Sequence, residues 1–194
     1  MNRKILLSGI SIVASLVLVG GSAFALFDAQ ALATNNTFSA ATPGLLVNTG
    51  STANSHPSTG FSQSDTGYTA TDLVPGYSHD FVFWLHNTTG DSVTFNLSAH
   101  FLNDQGDNAT LNGEMLAQFT CTNHNNTGTA VTSGQHSITE WLAGSDTIGT
   151  LDSGDYARCI MNMQLPTSAG NDIAGKTVKF DTQIGINQTV IPTL

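Results

Sequence analysis

Within residues 91–101, apolar and polar side chains alternate without a break from Ser92 onward. Val93, Phe95, Leu97, Ala99 and Phe101 hold one parity, and Ser92, Thr94, Asn96, Ser98 and His100 hold the other. A period of two over this length predicts a β-strand with one buried face and one wet face. Residues 78–86 carry Phe81, Val82, Phe83, Trp84 and Leu85 in succession, which predicts a central strand that is apolar on both faces. Asn87-Thr88-Thr89-Gly90 reads as a turn that makes the two strands a hairpin. In 156–165, Ala157, Cys159, Met161, Met163 and Leu165 share one face. In 176–187, Val178, Phe180, Ile184 and Ile186 are expected inward, and Lys179, Asp181, Gln183 and Asn187 outward. Weaker strand patterns lie at 38–47, 68–73, 118–122 and 129–132, and short helices are expected at 113–118 and 137–143. Together these predict an all-β fold: an antiparallel β-sandwich of jelly-roll type with one or two short helices, preceded by an N-terminal signal helix. The Ser/Thr/Gly/Asn-rich stretch 48–64 is expected to be a mobile loop.

The start of the chain has a different pattern. Arg3 and Lys4 lead into an apolar run from Ile5 to Ala25 that ends in Ala23-Phe24-Ala25, small residues at the positions a signal peptidase accepts. This is read as a cleaved export signal. An uncleaved anchor is the alternative, because a run of about 20 apolar residues is just long enough to span a bilayer. Both place the remainder outside the cytoplasm, secreted into an extracellular matrix or held at the cell surface. The expected organisation is a signal at 1–25, an extended N-terminal segment at 26–47 and one sandwich domain at 48–194.

Beyond residue 25 the chain keeps three basic residues, Arg158, Lys176 and Lys179, against fourteen acidic ones, a formal charge of −11. Nucleic acid is not an expected partner, since phosphate binding needs clustered Lys and Arg. A membrane enters only through the signal segment before cleavage. The two cysteines, Cys121 and Cys159, are expected to form a disulfide in an exported chain, with free buried thiols as the alternative in a reducing compartment. Closing a loop of about 38 residues would stabilise the fold by roughly 4 kcal/mol on the chain-entropy view.

Chemistry-bearing motifs are sparse. No His-Glu-x-x-His and no Gly-x-Ser-x-Gly occurs, and the six histidines are scattered. An enzyme is not expected, nor is a cofactor. Asn103, Asp104, Asp107 and, eleven residues after Asn103, Glu114 resemble part of a calcium loop. Flanking helices are not predicted, so a polar turn is the preferred reading and no metal site is expected. Six Asn-x-Ser/Thr sequons occur, at Asn35, Asn87, Asn96, Asn108, Asn125 and Asn187.

Several segments in order resemble the TasA/camelysin family of secreted surface proteins. These are the start Lys4–Gly9 with Val19-Gly20-Gly21 and Phe24–Asp28; then Asn36-Thr37-Phe38-Ser39-Ala40 with Gly44-Leu45-Leu46-Val47; then Leu73-Val74-Pro75-Gly76 leading into Phe81 to Asn87. The short stretch from Gly113 to Phe119, and Leu165-Pro166 followed by Ala169-Gly170-Asn171, Gly175-Lys176, Val178 and Phe180, complete the set. The departure is Pro43-Gly44-Leu45-Leu46, where the family usually has Gly-Thr-Leu-Asp. The resemblance implies a jelly-roll subunit that polymerises into biofilm-matrix or pilus-like fibres, the N-terminal segment of one copy completing the sheet of the next. The partners would then be copies of the chain itself, head-to-tail, and a protein that anchors or initiates the fibre. A strand supplied in trans satisfies open backbone groups at a sheet edge, and a head-to-tail contact that does not close grows a filament. Leu26, Phe27, Ala29, Ala31, Leu32 and Phe38 are the expected donor residues, in a segment whose one charge is Asp28. A fold-back of that segment in cis is the alternative. A monomeric surface adhesin or glycan-binding sandwich is the second functional reading. A camelysin-type metallopeptidase is third and is disfavoured by the missing zinc motif.

Overall fold

A computed structural model describes residues 37–39, 44–66, 70, 73–89, 93–102, 104 and 109–190. The expected signal with Ala23 and Ala25, and the expected donor positions Leu26, Phe27, Ala29, Ala31 and Leu32, lie outside the described residues. Among the described residues no helix is long and apolar enough to cross a membrane.

Among the described residues the regular structure is mostly β-strand. In order the strands are β1 (Thr37–Ser39), β2 (Leu45–Asn48), β3 (Ser64–Thr66), β4 (Ser78–Asn87), β5 (Val93–Leu102), β6 (Leu116–Thr122), β7 (Ala130–Thr132), β8 (His136–Ser137), β9 (Ser145–Leu151), β10 (Tyr156–Gln164) and β11 (Asp181–Val190). Two short helices, α1 (Ala109–Glu114) and α2 (Ile138–Ala143), intervene. One sheet has the order β3-β1-β11-β5-β9, and the other β2-β4-β10-β6-β7 with β8 also on β6. Every strand pairing is antiparallel except β1 with β11.

The period-two faces of β5 and β10 meet across the core. Phe95, Leu97, Ala99 and Phe101 are buried from one sheet, and Ala157, Cys159, Met161 and Met163 from the other. Cys159 sits opposite Cys121 on β6, and the two form the disulfide. The helices close one end. Leu111 and Met115 at α1 are fully buried, and Trp141 of α2 lies against Phe101 and Phe119 at ring distances of 5.5 and 5.1 Å. The Trp141 indole N–H donates to Ala117 O at 2.9 Å. Ser137 and Glu140 form a capping box that starts α2, each side chain taking the other's backbone N–H.

Several expectations are corrected. β4 and β5 are not a hairpin: they lie in different sheets, and the chain between them turns a corner of the sandwich. Asn87 makes that corner. Its side chain is fully buried, donates to Val93 O at 2.9 Å and Leu151 O at 3.0 Å, and accepts from Thr89 N at 3.0 Å. With its amide so committed, Asn87 is not accessible as a glycosylation sequon in the folded chain. The strand expected at 38–47 is two strands in different sheets, and residues 45–48 are built into the second sheet with Leu45 and Val47 in the core. The helix expected at 113–118 comes earlier, as α1, because from Leu116 onward alternate residues Ala117, Phe119 and Cys121 bury one face of a strand. Asp181 and Gln183, expected outward, are buried, since both faces of β11 are shielded at that end.

Asn87→Ala removes two donors and an acceptor from buried backbone partners. It should lower stability by about 3 kcal/mol and the melting temperature by roughly 10 °C, measured by circular dichroism. An unchanged melting temperature would remove Asn87 from its role as the corner.

Candidate functional site

Two features stand out. The first is the second edge of β11. On one side all ten residues pair with β5, from Asp181↔Leu102 to Val190↔Val93. On the other side the described residues of β1 supply Phe38↔Thr182 and Ser39↔Gln183, in parallel, and β3 then pairs antiparallel with β1. Among the described residues, no strand pairs with this side of β11 from Ile184 to Val190. Seven residues of strand present roughly 23 Å of edge. The core-facing side chains Ile184 and Ile186 are already buried, so what this edge lacks among the described residues is a backbone partner. Phe38, the one expected donor residue that is described, lies in β1 and pairs within its own chain.

The second feature covers the outer face of the six-stranded sheet. Residues 49–63, expected to be mobile, run over β4 and β10 as a strap. Its ends are set by a two-bond bridge between Val47 and Ser62 (2.8 and 3.0 Å) and by Thr49 N donating to Asp65 Oδ2 at 2.7 Å. Gly60, at φ +85°, comes so close to Asn48 that a Cβ there would lie 2.7 Å from Nδ2. In mid-course the strap meets a turn, Asn123–Asn126, whose His124, Asn125 and Asn126 all have left-handed backbones. Asparagine tolerates that conformation better than most residues. From the turn, Asn125 Oδ1 accepts the His56 N–H (3.1 Å) and Asn126 Nδ2 donates to Asn54 O (3.2 Å).

The strap is seated by rings. His56 stacks on Tyr156 at 3.9 Å, Tyr156 stacks on His86 of the paired strand at 4.0 Å, and Phe61 leans on both sheet residues at 5.6 and 5.5 Å. Trp84 lies beneath, edge-on to His56 at 6.5 Å and fully buried, with no acceptor for its indole N–H. An unpaired buried donor of this kind costs on the order of 1–3 kcal/mol. Asp155 Oδ2 lies 2.9 Å from His124 Nδ1 and also accepts the His124 N–H. Burial holds the His86 imidazole below its ordinary value; repulsion from His56 adds to this and Asp155 partly offsets it.

Other candidates carry less chemistry. A cleft of about 490 Å³ is lined by His136, Glu140, Trp141, Ser145 and Asp146. Its carboxylates already have work: Glu140 caps α2, and Asp146 accepts backbone N–H groups of Gly134 and Thr147. Of the calcium candidates, Asp104 accepts from Asn112 Nδ2 at 2.6 Å and Glu114 is exposed at the end of α1, while Asn103 and Asp107 lie outside the described residues. Among the described residues no three His, Cys, Asp or Glu side chains gather to hold a metal ion. Sequence reasoning missed the ring stack, although Trp84 and His86 share the outward parity of a strand read as apolar on both faces. That parity was the available signal.

No family model matches the chain, and neither does any curated protein or solved structure.

Because the His86 value is lowered on folding, the unfolded chain binds the extra proton first as pH falls. The stability tied to neutral His86 is therefore complete above about 6.5 and is lost as pH drops through the lower folded-state value. Glu140 and Asp146, also held low, add a loss of the same sign only in more acid solution. Urea midpoints should fall between pH 7.5 and pH 5.0, and His86→Phe should flatten that fall. An equal fall in the variant would put the titration elsewhere.

Proposed function

We propose that the chain is an exported structural subunit that assembles head-to-tail into extracellular or cell-surface fibres by donor-strand complementation. The observation that carries this reading is the second edge of β11: among the described residues, ten are paired on one side and two on the other. Among the described residues β1 gives three positions, parallel in an otherwise antiparallel fold, and a longer antiparallel strand from another copy would make the stronger ladder. The N-terminal segment ahead of β1 has the composition of such a strand, being weakly charged with spaced apolar residues. The jelly-roll reading is supported by the path of the chain, which alternates between sheets through β4, β5, β6, β9, β10 and β11. The parallel β1 departs from that pattern. The disulfide fits an oxidising compartment, and the ordered motifs that resemble the TasA/camelysin family point the same way.

Negative-stain microscopy of the chain from Leu26, beside one from Ala41 shown by circular dichroism to be folded, tests the reading. Fibres are expected from the first and monomers from the second, with assembly of the first blocked by excess peptide 26–40. Monomers from both would overturn self-assembly. Fibres from both would overturn the N-terminal donor.

A further inference from the structure

The strap and the β11 edge are mechanically connected. The strap leaves β2, crosses the outer face of one sheet and enters β3, whose strand pairing among the described residues is with β1 alone. β1 in turn is the strand that covers the start of the β11 edge. We propose that the strap is an acid-released latch: seated, it holds β3 and β1 over the edge of β11, and protonation of the imidazoles stacked on Tyr156 unseats it and uncovers that edge. What the uncovered edge receives rests on the assembly reading above; the latch itself does not.

The polar ties along the middle of the strap are single hydrogen bonds. They are His56 N–H to Asn125, Asn126 to Asn54 O, Arg158 Nε–H to Ala53 O at 3.3 Å, and Asn48 Nδ2–H to Thr59 O at 3.2 Å. The apolar seat is the ring stack, and two of its three stacked members are imidazoles. With both protonated, like charges face each other across one phenol ring. Arg158, on the same face of β10 two residues beyond Tyr156, adds a third positive charge. Against them stands Asp155, whose carboxylate is already shared between His124 and the backbone N–H groups of His124 and Tyr156. Asp65, on β3, is held by Thr49 N–H. Attraction between an imidazolium and the Tyr156 ring returns part of the loss, but the burial of His86 opposes its charging and holds the imidazole below its ordinary value. Opening would also give water to the Trp84 indole N–H, which has no acceptor when the strap is closed. Between the Val47–Ser62 bridge and the Thr49–Asp65 bond that pin its ends, the closed strap is thus held by rings that weaken with acid, above a buried donor that gains from release.

Hydrogen exchange by mass spectrometry on the chain from Leu26, corrected for intrinsic pH dependence, tests the latch at pH 7.5 and 5.0. Peptides spanning 49–66 should exchange roughly fivefold or more faster at pH 5.0, with 93–102 and 156–164 unchanged. The double variant His56→Phe/His86→Phe keeps stacking rings without protons and should exchange equally at both pH values; His56→Phe alone, on the strap, serves if the double variant does not fold. Equal protection of 49–66 at both pH values in the native chain, or acid opening that persists in the variant, overturns the latch. Fibre yield is read on the same samples. Acid opening of the strap without fibres at either pH supports the latch and overturns the assembly reading, whereas fibres that form with the strap equally protected overturn the latch alone.

Discussion

The molecule depends on β10 having two faces. It pairs with β4 along nine residues and with β6 along seven, so it is the central strand of its sheet. A strand so fixed cannot slip by one residue without turning its core side chains into water. One parity, from Ala157 to Met163, therefore belongs to the core and includes the half-cystine that staples β6. The other parity begins with Tyr156 and Arg158, and it is these outward residues that receive the strap. Core and outer site are consequences of one register.

Whether β4 and β5 form a hairpin is not decided by their own patterns. Alternation and a short polar connection look alike whether the next strand pairs with the last or crosses to the opposite sheet. The difference lies in Asn87, whose side chain reaches carbonyls at Val93 and at Leu151, the latter 64 residues away. A turn that pairs adjacent strands has no need of a buried amide spanning both sheets. Local sequence carried the strand and its buried face; the long-range partner of one amide decided the topology.

Legibility follows that division. β5, β10, the Cys121–Cys159 pairing and the helix beginning after Ser137 were readable because each is encoded by neighbours in sequence or by simple counting. The buried Asp181 was not, because the shielding of the outer side of β11 comes from beyond that strand's own pattern. Nor was the ring stack, which joins His56, His86 and Tyr156 across separations of thirty and seventy residues. A Ser/Thr/Gly/Asn-rich stretch reads as loose when its own side chains offer little to bury. Here three rings and a left-handed asparagine turn supply from outside what the stretch lacks within.

A subunit that donates a strand faces a conflict between folding and assembly, because the edge that must accept a partner is an aggregation hazard until the partner arrives. The geometry suggests a resolution by weak occupation. Among the described residues β1 gives β11 two parallel pairs at the start of the edge, fewer than a full donated strand would make. Each backbone hydrogen bond contributes a net gain of only about 1 kcal/mol, so a replacing strand gains several kcal/mol over β1, against an association cost of similar size or larger. With the balance that close, whatever holds β3 and β1 in place decides whether exchange begins. On the latch proposed above, that element is the strap, whose seat is on the outer face of the opposite sheet.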